Sequence, residues 1–165
     1  MDESAVQSRA VRCSDLDLIC RHREEMFRDA GSDEGGLAVM TQHFRVWLEP
    51  RLADGSYSGF ILSVEGQPVA GIGLMLIDWP PHPLHPSQAH RGYILNLFVE
   101  PKHRRQGLAA RLVQLAEAEL VRRGAQYEVL HATDKGRPLY RGLGWDTTAE
   151  MAKILSDGLG PRPGE

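Results

Sequence analysis

Cysteine is nearly absent: Cys13 and Cys20 are the only two in 165 residues. They sit close together near one end, so they form no disulfide framework, and the chain must hold itself by burial alone. Two free thiols fit a reducing cytoplasm, which is the compartment expected here. Charge of one sign is scarce as well. A formal net charge of −3 argues against general nucleic-acid binding and makes any basic cluster a local feature. No apolar run approaches the roughly 20 residues of a membrane span. The acidic start, MDESAVQ, is unlike a signal peptide.

What is present is 42% hydrophobic and 25% charged, ordinary for a globular chain and sufficient for one domain with a substantial core. The sequence shows no internal repeat. A single domain is expected over residues 1–155, with 156–165, rich in glycine and proline, as a flexible tail.

Periodicity places the elements. Ala5 to Arg12 reads as a strand. Ser14 and Asp17 approximate a capping box, opening a helix to about Arg28 with Leu16, Ile19, Cys20, Arg23, Met26 and Phe27 on one face. The polar, glycine-rich run 30–36 breaks it. A second helix is expected from Leu37 to Leu48, ended by Pro50. Gly59 to Val64 and Pro68 to Ile77 form a hairpin, in which Gly71 and Gly73 mark a bulge or the close approach of another backbone. Trp79 to Pro86 is too proline-rich for regular structure. Tyr93 to Val99 is a core strand, and a long amphipathic helix follows Gly107 and stops at Gly124. Tyr127 to Ala132 is another buried strand, Pro138 opens a short helix carrying Tyr140, and Thr147 to Leu155 is a final strand.

The turn before the long helix carries the chemistry. Arg104, Arg105, Gln106, Gly107, Leu108 and Ala109 put two cations and a glycine where unpaired N–H groups open a helix. Such a place favours phosphate, above all a pyrophosphate. An ordinary basic turn is the plain alternative for these six residues alone. They follow Val99-Glu100-Pro101, however, and they precede Leu139-Tyr140-Arg141-Gly142-Leu143-Gly144-Trp145. Both segments, in this order, resemble the GNAT N-acetyltransferases: Arg104, Gly107 and Ala109 fit Arg/Gln-x-x-Gly-x-Gly/Ala, and the later segment resembles Leu-Tyr-x-x-x-Gly-Phe/Trp.

The resemblance implies an α/β fold: a GNAT-like mixed, mostly antiparallel central sheet, helices on both faces, and a splayed central strand pair near Leu97 to Val99. It implies acetyl-CoA as acyl donor, with backbone groups of Leu97 and Val99 on the pantetheine arm and Phe98 between them. The turn from Arg104 to Ala109 would hold the pyrophosphate. Thr133 stands where many relatives carry a cofactor-bonding asparagine, and Gly136 where they have a small residue facing the cofactor. Tyr140 is the implied general acid, and the Val99 N–H the group that polarises the carbonyl. A core tyrosine is the plain alternative for Tyr140. Some relatives place a basic glutamate where this chain has Tyr93. Asn96 is no base, and Glu100 is expected in solvent, so a water relay or prior deprotonation of the amine is expected.

The acceptor pocket is expected between the first two helices and the loop before the central strand. Glu24, Glu25, Asp29, Asp33 and Glu34 make that region acidic, which suits a cationic amine or is simply a solvated face. Arg23, among apolar positions, either meets a substrate carboxylate or pairs locally. Phe27, Trp79 and Tyr93 are candidate walls. His82, His85 and His90 have no cysteine or helix to hold a metal geometry, and no metal is expected. His131 reads as a core histidine. The function these expectations compose is direct acetyl transfer to the primary amine of a small molecule, in a chain that pairs as a homodimer and binds neither nucleic acid nor membrane. The alternatives are acetylation of a protein lysine or N-terminus, and a non-catalytic acyl-CoA-binding module.

Overall fold

The computed structural model describes residues 6–155. Five strands form one sheet in chain order: β1 (Val6–Ala10), β2 (Ser58–Val64), β3 (Gln67–Asp78), β4 (His90–Val99) and β5 (Glu128–Leu130). All neighbours are antiparallel except β4 and β5, which run parallel. Helices α1 (Leu16–Asp29) and α2 (Glu34–Asp54) cover one face, and α3 (Leu108–Arg122) covers the other. A short helix, α4 (Arg137–Gly142), follows β5. This is the mixed, mostly antiparallel α/β architecture expected from the sequence.

The two faces have separate cores. Leu108, Leu112, Val113, Ala116 and Leu120 of α3 pack on Leu62, Ile72, Leu74 and Ile94 of the sheet. Each such side chain, when fully buried, contributes about 1.5–3 kcal/mol of transfer free energy. On the opposite face Ile19 and Cys20 of α1 meet Phe44 and Leu48 of α2 over Tyr57.

A bulge in β4 positions the site. Gly73 pairs with Leu95 and Gly71 with Phe98, so two residues of β4 oppose the single Ile72. Asn96, with φ 55°, takes up the extra residue. The pleat therefore changes phase. Tyr93 and Leu95 face α1 and α2 before the bulge, while Leu97 and Val99 join Ile94 on the α3 side after it. The glycines opposite are needed for close approach. A Cβ on Gly73 would collide with the Tyr57 phenol, and one on Gly71 would stand 3.0 Å from the His22 ring.

Several boundaries differ from the sequence expectation. The break between α1 and α2 is short, because Asp33 caps α2 by accepting from the Gly36 N–H at 2.8 Å, drawing Glu34 to Gly36 into the helix. Pro50 does not end α2. The carbonyl it leaves unbonded belongs to Val46, which is on the solvent face, and the burial of Leu48 and Leu52 carries the helix on to Gly55, φ 77°. Residues 147–155 form no strand; their side chains are exposed. The expected tail at 156–165 and Ala5 of the first strand lie outside the described residues.

Candidate active site

β4 and β5 pair only from Gly92 to Ile94. β5 ends at Leu130 while β4 continues to Val99, so a wedge opens between them. The Glu100 N–H donates to Val69 of β3 at 2.8 Å. Alternation along the strand then turns the N–H and C=O of Val99 and Leu97 away from β3 and toward the wedge. The Val99 carbonyl accepts from Arg104 Nε at 2.9 Å, leaving its N–H as the group that faces a ligand.

The turn leaving β4 forms an anion cradle. Arg105 (φ 62°) and Gly107 (φ 80°) both adopt left-handed backbone, the alternation that gathers successive N–H groups into a concavity. α3 begins at Leu108 with no side-chain cap, so its first N–H groups point out unpaired. Arg104 is engaged elsewhere. Beyond its bond to Val99, its Nη2 donates to Asp29 at 2.5 Å, tying the turn to β4 and α1. Arg105 is exposed and has no such tie among the described residues. The Gln106 side chain turns back to the Lys102 carbonyl.

On the far side of the wedge, Thr133 Oγ1 accepts from the Gly136 N–H at 3.1 Å and so sets the start of α4. A Cβ on Gly136 would press on Thr133 Oγ1 and the Tyr140 ring, at 3.3 and 3.4 Å. Tyr140 is 9% exposed, and its ring meets Trp145 edge-on. Burial pushes its phenol up to about 12, so it carries its proton at neutral pH. These residues fit acetyl-CoA: a strand edge for an extended amide arm, a cradle of N–H groups for phosphates, and a protonated phenol beside them.

The acceptor side lies across β4. A cavity of about 450 Å³ is lined by Arg23, Met40, His43, Phe44, Trp47, Tyr93 and Leu95. Arg23 donates from Nη1 to Asn96 Oδ1 at 2.7 Å, and Asn96 donates to the Tyr57 hydroxyl at 3.0 Å. The guanidinium lies over the rings of Phe27 and Phe44, at 5.0 and 4.6 Å. Burial lowers its pKa from the usual arginine value. Three expectations about this region fail. Phe27 is not among the lining residues and reaches the cavity only through Arg23, which it flanks. Trp79 is not a wall of the cavity: its N–H is held by the Ala89 carbonyl at the end of the hairpin and its ring carries Arg91 at 4.2 Å. The acidic residues do not line the cavity either. Glu24, Glu25 and Glu34 converge on Arg28, Asp29 meets Arg104, and Asp33 caps α2.

The expected core histidine is a linking one. His131 is mostly exposed; its Nδ1 bonds the Tyr93 hydroxyl, and its Nε2 lies 3.0 Å from Glu150 Oε2. β5 is shorter than the sequence suggests, so His131 falls just beyond it. His85, by contrast, is fully buried between the Gln88 carbonyl and Arg91. Among the described residues no group of three metal-ligating side chains comes together, and no helix is long and apolar enough to cross a membrane.

The model of the acetyltransferase (GNAT) family matches residues 18–145. The chain belongs to this family. A GCN5-related N-acetyltransferase from Ralstonia eutropha JMP134 is 55% identical, with a TM-score of 0.90 over 91% of this chain and 98% of its own. A predicted acetyltransferase with acetyl-CoA from Clostridium acetobutylicum is 23% identical, with a TM-score of 0.82 over 90% of this chain and 95% of its own. The fold is shared more distantly with glucosamine-6-phosphate N-acetyltransferase from Arabidopsis thaliana, 16% identical, TM-score 0.66, over 92% of this chain and 99% of that one. None of the curated proteins matches the chain.

Within this GNAT domain, sequence reasoning missed the roles of Asn96 and His131. Asn96 left a signal: it is the one amide in an otherwise apolar strand core, where a polar side chain must find partners. Nothing local in the sequence pointed from His131 to Tyr93.

Proposed function

We propose that this acetyltransferase moves an acetyl group from acetyl-CoA to the primary amine of a small molecule by direct transfer. The observation that carries this is the wedge between β4 and β5, with the uncapped α3 terminus at its mouth and an open cavity across the strand. Acetyl-CoA supplies the activated acyl thioester. The N–H groups of the turn and the cation of Arg105 take the phosphates, and Leu97 and Val99 offer the backbone edge. The Val99 N–H polarises the acyl oxygen. As the new C–N bond forms and the C–S bond breaks, Tyr140 delivers its proton to the sulfur.

The amine must also lose a proton, and here the arrangement favours a protein route over the expected water relay. Tyr93 lines the acceptor cavity and is bonded to His131. A proton taken up by the Tyr93 oxygen releases the phenol's own proton to His131 Nδ1, and Glu150 offsets the imidazolium charge. A protein substrate fits less well, because no carboxylate lines the acceptor cavity to meet a lysine ammonium. A non-catalytic module would have no use for the protonated Tyr140. The same proposal includes a cytoplasmic location, which the two free thiols suit, and a homodimer.

The test is thiol release from acetyl-CoA against amines, amino acids, polyamines, aminoglycosides and basic peptides, with acetyl-CoA binding followed by calorimetry. Release dependent on one small-amine class supports the proposal. Failure to bind acetyl-CoA overturns it, and turnover confined to peptides replaces it with the protein-substrate reading.

A further inference from the structure

Arg23 is a half-buried cation with no anion. Its charge is unmatched by any carboxylate within salt-bridge distance among the described residues, its Nε is buried without a hydrogen-bond partner, and its bond to Asn96 leads to a neutral amide. The groups around it explain why no partner is near. Glu24 and Glu25, its neighbours on α1, turn to Arg28, and Glu24 also accepts from Thr41. α2 presents Phe44, His43 and Trp47, and the sheet presents Tyr57, Tyr93 and Asn96. A charge removed from water without a counter-charge costs several kcal/mol, and proteins retain such groups where a ligand completes them. The aromatic clamp of Phe27 and Phe44 holds the guanidinium plane in place; with Nε shielded and one Nη1 proton on Asn96, the Nη1–Nη2 edge is the fork that can receive a carboxylate.

The rest of the cavity defines the remainder of the ligand. Met40, Phe44, Trp47 and Leu95 are apolar or aromatic, and neither aspartate nor glutamate is among the lining residues. A polycation would find no counter-charge there. The cavity volume of about 450 Å³ holds a compact metabolite. We propose that the acceptor is an amino acid with a free carboxylate and an apolar or aromatic side chain, its carboxylate bound by Arg23 and its side chain against Phe44 and Trp47. This rests on the acetyl-transfer reading above and narrows it to one substrate class. Pairing with Arg23 also neutralises the substrate's own carboxylate, whose field otherwise favours the ammonium, so the neutral nucleophile forms more readily at the site.

The experiment pairs each acid with its analogues lacking the charge: phenylalanine, phenylalaninamide and phenethylamine; leucine and 3-methylbutylamine. Thiol release gives kcat and KM for each, and calorimetry gives acetyl-CoA affinity and direct phenylalanine binding. The wild type is expected to favour the acids by about 10- to 100-fold in kcat/KM, the worth of a charge-assisted pair. Arg23→Gln should erase that preference through KM while acetyl-CoA affinity stays within about twofold, and Arg23→Lys should restore part of it. Saturating phenylalanine should raise the melting temperature of the wild type and not of Arg23→Gln, a readout independent of turnover. Equal use of acids, amides and decarboxylated amines overturns the inference, as does an Arg23→Gln variant that keeps the preference. So does an enzyme that binds acetyl-CoA but neither binds nor acetylates any of these acids. Loss of acetyl-CoA binding in the wild type would instead overturn the transferase reading itself.

Discussion

On the α3 side of β4, the groups of the proposed cofactor site are backbone: the N–H of Val99, the edge of Leu97, and the unpaired N–H groups beyond Gly107. On the α1 and α2 side they are side chains, Arg23, Phe44, Trp47 and Tyr93, gathered from three elements. Arg23 and Asn96 are 73 residues apart in sequence. A backbone site is specified by a short run that sets φ and leaves donors free, and many chemically different side chains would serve around it. A side-chain site is specified by long-range contacts, each of which changes what the cavity accepts. The cofactor half of this protein is therefore a general device, and the acceptor half an individual one.

Substitutions that touch one half alone test that division. The largest effect is expected from Tyr140→Phe, which should lower kcat by about 10²–10³-fold, the range for losing a positioned acid, with acetyl-CoA affinity nearly unchanged. Full turnover would remove Tyr140 from the chemistry. His131→Ala should lower kcat/KM about tenfold near neutral pH and shift the acid limb of its pH profile, leaving acetyl-CoA affinity intact; a pH profile superimposable on the wild type would return amine deprotonation to solvent.

Asn96→Ala should cost about 2–3 kcal/mol in urea unfolding, since it strands Arg23 and the Tyr57 hydroxyl without their shared partner. If the acetyl-CoA dissociation constant moved with it, the two halves would be coupled through the bulge and the division drawn here would fail. Gly107→Val should do the opposite. A β-branched residue at φ 80° strains the cradle by about 1–3 kcal/mol, weakening acetyl-CoA binding about tenfold in calorimetry while the acceptor KM holds.

Glu128 should give the smallest change. Burial, with Glu117 nearby, raises its carboxyl to about 7 from an ordinary 4.5. The folded protein thus keeps a proton that the unfolded chain sheds. Stability is fullest below pH 4.5, falls as pH rises to about 7, and levels off above that. Glu128→Gln should flatten that decline, gaining about 1 kcal/mol at pH 8 after allowance for partial solvation and nothing at pH 4, as melting curves at the two pH values would register.

Much of the strand, turn and helix geometry of the proposed cofactor half was legible in the sequence. Arg104 to Ala109 announced an uncapped helix start, Gly71 and Gly73 announced a bulge, and Leu139 to Trp145 announced the tyrosine. The errors have physical causes. Pro50 stays inside α2 because Leu52 beyond it gains more from burial than the helix loses at an exposed carbonyl. Trp79 is absent from the cavity because hairpin pairing continues one residue further and fixes it elsewhere. The acidic cluster is spent on Arg28, a convergence of Glu24, Glu25 and Glu34 that composition does not reveal.

The sequence by itself determined the strand-turn-helix that favours phosphate, because φ preferences, missing caps and apolar spacing act between near neighbours. Only the tertiary structure decided that Arg23 has no carboxylate and that Tyr93 reaches His131. Which charges meet depends on how α1, α2 and β4 pack, and that packing is set by the whole core at once.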